Sequence, residues 1–327
     1  MLNMVQYNGY YSCPWCFHPG ICIEGYVKFP VTEGPSPNTT GQALIEDKRE
    51  AAATSRIVRG IKGPSVLLTV LGISIIKSFV PDYMHACLLG TVRQITDLWF
   101  SDVGADYYIG APTKRQLIDE RLQSLKPPSC FTRCPKSVKQ RGFWKAGELQ
   151  SWLLYFSLPC VYGILPSTYH DHFALLVAGI YLLMKSRVTE DDVALSNEKL
   201  TRFVVMLECL YHKREMKSNV HVLHLPNSVR LHGPLWGISC FAFETNMGHL
   251  LNLVSSSNSV PLQIFSRILM RNNFYQLRSL ASDNVQDLCS HEKPSLGGTI
   301  EPLSKSKACF PANSRMCQGT VWRTTED

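Results

Sequence analysis

Four residues near the start of the chain, Cys13-Pro14-Trp15-Cys16, constrain the fold more than any other stretch. A Cys-x-x-Cys turn puts two sulfurs on one side of the backbone, within reach of a single ion. Thiolates are soft ligands suited to Zn²⁺, and a closed zinc site takes four donors. Two more donors are therefore needed. His18 and Cys22 could complete a local site. Distant candidates are His221 and His224 in NVHVLHL, two imidazoles one helical turn apart. A redox Cys-x-x-Cys opens a helix after a strand, and the Pro19-Gly20 that follows here argues against that role. No basic, apolar leader is visible in MLNMVQYNGYYSC, so the 12 cysteines are expected to be reduced thiols, buried or metal-bound.

Hydrophobic residues make up 45% of the chain and charged ones 18%, enough for a real core. Two windows are strongly apolar, 66–80 and 173–185. Lys77 interrupts the first and the second is too short to cross a bilayer, so both read as core and no membrane association is expected. Residues 46–59 contain good helix formers and predict a short exposed helix. Ser65 can cap the segment after it. In 81–100 the apolar residues Met84, Leu88, Leu89, Val92, Ile95, Leu98 and Trp99 follow a three/four rhythm, predicting an amphipathic helix with Pro81 in its first turn. Further helices are predicted over 113–125, over 146–159 with Pro159 as its stop, over 167–186, and over 188–213 with acidic residues in its first turn. The stretch 218–254 reads as a short helix, a turn at Gly233-Pro234 and a helix starting near Glu244. The expected organisation is a Cys-x-x-Cys segment (1–30), a linker with an exposed helix (31–62), a helical region (63–278) and a disordered tail (279–327), mainly α with few strands.

The net charge of +7 is local. Lys114, Arg115, Arg121, Lys126, Arg133, Lys136, Lys139, Arg141 and Lys145 face only Asp119 and Glu120 in the same stretch, which accounts for the whole excess. One basic region on a near-neutral body is the footprint of a polyanion partner, or else a solvated surface loop.

Two acidic positions stand out. Asp82 and His85 lie one turn apart on the predicted helix, so the carboxylate can hydrogen-bond the imidazole and fix its tautomer, as a polar contact or as part of a site. Glu244 sits among Phe241, Phe243, Met247 and Leu250, and either caps its helix or is held in a site.

Taken in order, GYYSCPWCFHPG, IKGPSVLLTVLGISIIKSFVPDYMHACLLGTVRQITDLWF, YYIGAPTKRQLIDERLQSLKPPSCFTR, RGFWKAGELQSWLLYFSLPCVYGILPSTYHDHFALLVAGIYLL and NVHVLHLPNSVRLHGPLWGISCFAFETNMGHLLNLV resemble the transposases of animal CACTA (En/Spm-like) DNA transposons, over roughly residues 8–270. The resemblance implies a ribonuclease-H-like DDE enzyme in which two Asp and one Glu hold two Mg²⁺ ions for DNA cleavage and strand transfer. It implies that Glu244 is the third acid, that Asp82 and His85 match the Asp-x-x-His motif, and that Cys13, Cys16, His221 and His224 share one structural zinc. It further implies DNA as partner, a nuclear location and a homo-oligomer. The two residues between the histidines depart from the three expected in the family. In the family both catalytic Asp precede the Cys block, so the expectation is the helical C-terminal part of such a domain, lacking most of its β-sheet and inactive alone. The alternative is a domesticated, non-catalytic DNA- or protein-binding module with a structural zinc.

Overall fold

The computed structural model describes residues 2–32, 34, 36–70, 74, 76–126, 133–217, 219–283 and 286. Within them the protein is mainly helical, with one two-stranded antiparallel sheet. That sheet is a hairpin of β1 (Ile21–Ile23) and β2 (Tyr26–Lys28). Its loop, Glu24-Gly25, has both residues at positive φ (53° and 80°), the twist that matches a tight hairpin.

Helix α1 (Gly41–Thr54) starts where the Thr40 hydroxyl accepts a hydrogen bond from the Ala43 N–H at 3.2 Å. It begins earlier than the expected 46–59 and is not simply exposed. Leu44 and Ala51 pack with Ile61 in a small core, and buried Lys48 donates to the Leu2 carbonyl at 2.8 Å. The described part of 66–80 departs from the expected core. Val66–Thr69 is a single 3₁₀ turn capped by Ser65, and Val66, Leu68 and Val70 stand 75%, 43% and 45% exposed. One turn of helix has no continuous stripe to bury. Residues 71–73 and 75 of that window lie outside the described residues.

The helix expected over 81–100 opens with π-helical turns, Tyr83–Val92, and continues as α2 (Arg93–Ser101). Asp82 caps it, so Pro81 lies before the cap rather than in the first turn. Helix α3 (Pro112–Ser124) carries the first half of the basic region. A 3₁₀ turn, Val138–Phe143, carries part of the second. Pro159 does not stop the next helix. α4 (Ala146–Ser151) passes through a π turn (Trp152–Phe156) into α5 (Ser157–Val161), so the helical path runs two residues beyond Pro159, whose ring removes one backbone donor from it.

α6 (Ser167–Leu183) and α7 (Glu190–Tyr211) form an antiparallel pair, with α7 opened by a Thr189–Asp192 capping box. They approach closely at Gly179. A Cβ there would lie 2.7 Å from Leu200 Cδ2, and the Ser196 hydroxyl donates to the Gly179 carbonyl at 2.8 Å. Trp99 of α2 packs edge-on against Phe173 at 4.8 Å and donates its indole N–H to the Tyr211 hydroxyl at 2.8 Å. α8 (Leu225–His232) follows, ended by Gly233 at φ 88°.

The chain divides into two compact units, one running to Ser239 and the other starting at Cys240. The second holds α9 (Phe241–Leu251) and α10 (Val260–Leu280). α9 starts three residues before Glu244, and neither helix has a buried residue. α10 runs past position 279, where the tail was expected to begin. Residues 284, 285 and 287–327 of that tail lie outside the described residues. Among the described residues no helix is long and apolar enough to cross a membrane.

His172 provides a pH-dependent component of this core. Its ring stacks on Phe203 at 4.6 Å and donates from Nε2 to the Phe203 carbonyl at 2.9 Å. Nδ1 is buried without a partner, and burial lowers the pKa to about 4. An unfolded histidine titrates near 6.5. The full contribution is therefore present above that value. As pH falls the unfolded state takes up the proton first, and stability is lost until about pH 4, with an upper bound of about 3 kcal/mol. Urea titrations across this window should show a flatter acid slope for His172→Phe than for the wild type. Equal slopes would remove His172 from the account.

Candidate metal centre

The Cys-x-x-Cys segment reaches the distant histidines because the residues just after β2 dock on the last turns of α7 and the 3₁₀ turn that follows it. The Phe29 N–H donates to the Met216 carbonyl at 2.7 Å, and the Val31 N–H to a Glu208 carboxylate oxygen at 2.5 Å. The Trp15 indole donates to the Phe79 carbonyl at 2.5 Å. From the other side, Gln94 of α2 donates to the Glu215 carbonyl at 2.7 Å and accepts from Asn219 at 3.2 Å. Asn219 opens a 3₁₀ helix, Asn219–His224. A 3₁₀ helix has three residues per turn and eclipses positions i and i+3. The short His-x-x-His spacing therefore puts His221 and His224 on one edge.

These contacts bring together residues far apart in sequence. The ligand atoms of Cys13, Cys16 and His224 all lie within 4.8 Å of one another. Cys13 Sγ is 3.3 Å from His224 Nε2 across 211 positions of sequence. The His221 ring lies 6.4 Å from that of His224, and His221 Nε2 is buried with no hydrogen-bond partner. Trp15 packs against both imidazoles, at 6.3 and 5.7 Å, and Phe29 against His221 at 6.0 Å. Nothing in the sequence pattern pointed to these aromatic walls, although Trp15 stands between the two cysteines.

The electrostatics suit a cation. A hydrogen bond from Cys13, and then one from His224, lowers the Cys16 pKa to about 4, which makes it a thiolate at neutral pH. Burial, and then Cys16, hold the Cys13 thiol well above its usual range. The pair thus holds one sulfur toward its thiolate, the form that ligates a metal. Burial, then the neighbouring His224, lowers His221 to about 4 and keeps its ring neutral, the form that ligates.

The residues fit zinc. Two sulfurs and a ring nitrogen converge, and His221 offers a second imidazole whose Nε2 has no other use. The local alternatives do not join them. Both His18 nitrogens are engaged, Nε2 with the Pro30 carbonyl at 2.8 Å and Nδ1 with the Gly20 N–H at 3.1 Å. Cys22 is exposed on β1.

The other singled-out residues lie elsewhere. Asp82 accepts from the Met84 and His85 N–H groups at 3.3 and 3.0 Å, and from His85 Nδ1 at 2.5 Å. The carboxylate caps the helix and orients a half-exposed imidazole. Glu244 lies exposed in the first turn of α9, in the second unit. Among the described residues, no three carboxylates converge on a common point. Within the basic region Lys114, Lys126, Arg133, Lys136, Lys139 and Lys145 are exposed. Arg115 is half-buried, its Nε buried without a partner. Arg121 and Arg141 are used internally. Arg121 donates to the carbonyls of Cys160 and Tyr162 at 3.0 and 2.6 Å. Arg141 bonds Asp97 and Ser101 at 3.0 and 2.7 Å and lies over the Phe100 ring.

The sequence matches no protein-family model and no curated protein, and the fold matches no solved structure.

Proposed function

We propose that this chain is a zinc-stapled helical DNA-binding module descended from a CACTA-like DDE transposase, corresponding to the helical part of its ribonuclease-H-like domain. The observation that carries this reading is the approach of Cys13, Cys16 and His224, with His221 beside them, at the two ends of the helical body. Those are three of the four ligands which the resemblance implies; His221, the fourth, lies outside the converging group, with its ring 6.4 Å from that of His224. The basic stretch around α3 supplies the polyanion-facing surface. In the proposal DNA is the partner, the nucleus the compartment, and self-association the assembly mode.

Strand transfer in that family needs a pair of Mg²⁺ ions clamped by carboxylates. Glu244 would be one such ligand, and among the described residues no group of three carboxylates accompanies it. In the proposal the chain therefore binds DNA without cutting it. If all six exposed lysines and arginines contact phosphates, log affinity should fall against log salt with a slope of about −5. Filter binding across a salt series and a plasmid-nicking assay with Mg²⁺ and Mn²⁺ test both halves. Absence of affinity at low salt would remove the DNA reading. Metal-dependent nicking would restore catalysis to the chain.

A further inference from the structure

Phe143 is the most exposed large hydrophobic side chain among the described residues, at 85%. Its exposure is built in. Asp119 of α3 accepts from the Ser137 hydroxyl at 2.6 Å and the Val138 N–H at 2.7 Å, fixing the start of the Val138–Phe143 turn. Arg93 donates to the carbonyls on either side of Phe143, Gly142 at 3.2 Å and Trp144 at 2.7 Å. Arg141 is tied to Asp97 and Ser101, and Trp144 is buried against Trp152. Every neighbour of the ring is anchored while the ring itself is held out. Lys136, Lys139 and Lys145 stand exposed around it in the sequence.

A second aromatic repeats the pattern. Tyr162, just after α5, is 70% exposed. Arg121 of α3 holds its carbonyl, and its ring sits edge-on to His170 at 5.6 Å. The basic helix α3 packs against both the Phe143 turn and α5. The turn and α5 thus each carry one exposed aromatic at or beside an anchored backbone. Lysines alone satisfy an intact duplex, whose bases are already stacked. An aromatic held out among lysines matches a nucleic acid whose bases have open faces.

We propose that this surface recognises unpaired bases in single-stranded or locally opened DNA. Phe143, assisted by Tyr162, stacks on the bases, while Lys114, Lys136, Lys139 and Lys145 follow the phosphates. The inference rests on the DNA-binding reading above and adds the class of DNA. It is tested with the full chain by fluorescence anisotropy, using one short oligonucleotide as a single strand, as a matched duplex, and as a duplex with a mismatched bubble. The wild type should prefer the single strand and the bubble. Phe143→Ala should lose roughly tenfold on those two and nothing on the duplex, with an unchanged salt slope. Phe143→Trp should retain binding, and Lys139→Ala/Lys145→Ala should flatten the salt slope on all three. Circular dichroism and the Tm of Phe143→Ala should match the wild type. Equal affinity of Phe143→Ala and wild type for the single strand overturns the proposal. In that case duplex binding that still weakens in the lysine variant leaves the DNA reading intact. No binding to any of the three DNAs overturns both. Displacement of the single strand by polyglutamate as readily as by unlabelled DNA also overturns the proposal, and marks a surface for acidic polypeptides.

Discussion

Purified with zinc in the medium, the chain will carry about one zinc ion per molecule, and Cys13→Ser or His224→Ala will each remove it. The expectation follows from geometry. Cys13, Cys16 and His224 already place three donors within 4.8 Å of one another, and His221 has a buried nitrogen with no partner. Structural zinc in small domains contributes on the order of 10 kcal/mol of apparent binding energy, much of which becomes folding energy where no site exists in the unfolded chain. Loss of the ion should therefore free the first thirty or so residues to proteolysis and lower the Tm steeply. His18→Ala and Cys22→Ser are the informative controls, because those residues compete for a purely local site. Both should keep the zinc. Should either of them lose it while His224→Ala keeps it, the shared centre is wrong. His221→Ala tests the fourth donor. Retention of zinc at full affinity in that variant would assign the position to water or to another side chain.

Trp99→Ala should destabilise the helical body by about 3–5 kcal/mol, the range for truncating a buried tryptophan. Trp99 is fully buried between α2 and the α6–α7 pair, with Phe173 against one edge. Its indole N–H also satisfies the Tyr211 hydroxyl, which is itself inaccessible to water. Truncation leaves a large void and an orphaned hydroxyl, and the second effect adds about 1–3 kcal/mol. Urea unfolding of Trp99→Ala and of the Trp99→Ala/Tyr211→Phe double variant separates the two. The double variant should recover part of the loss. A single-variant cost under about 1 kcal/mol would mean that Trp99 is not a keystone of this core.

Much of the helical frame could be read from residue pattern. The acidic run Glu190–Asp192 marks the first turn of α7, and the helix expected over 113–125 is α3. What the pattern hid was local geometry decided by packing. The π turns at Tyr83–Val92 and Trp152–Phe156 have no composition signal, and the helical path runs on past Pro159 to Val161, where the proline alone predicts a stop. The Glu24-Gly25 hairpin escaped notice because three-residue strands give no periodicity. At the candidate centre the cysteine pair was legible from spacing alone. The choice between His18 and Cys22 or His221 and His224 was not, since it depends on who uses each nitrogen and which thiol is buried. The His-x-x-His spacing falls on a 3₁₀ helix, where positions i and i+3 are eclipsed, a local geometry that the residue pattern does not reveal. Of the nine basic residues, Arg121 and Arg141 are spoken for by carbonyls and a carboxylate, a distinction that charge counting cannot make.

The closure between Cys13 and His224 also orders events in time. A contact spanning 211 positions has a high chain-entropy cost and cannot form until the intervening segment is compact. The α6–α7 hairpin, by contrast, is local and can assemble early. If the centre takes zinc as proposed, metal capture becomes the latch on a nearly finished ring rather than its nucleus. A cell poor in zinc would accumulate a collapsed body with a loose N-terminal arm. Supplying the ion later should fasten that arm quickly, without the helices having to fold again.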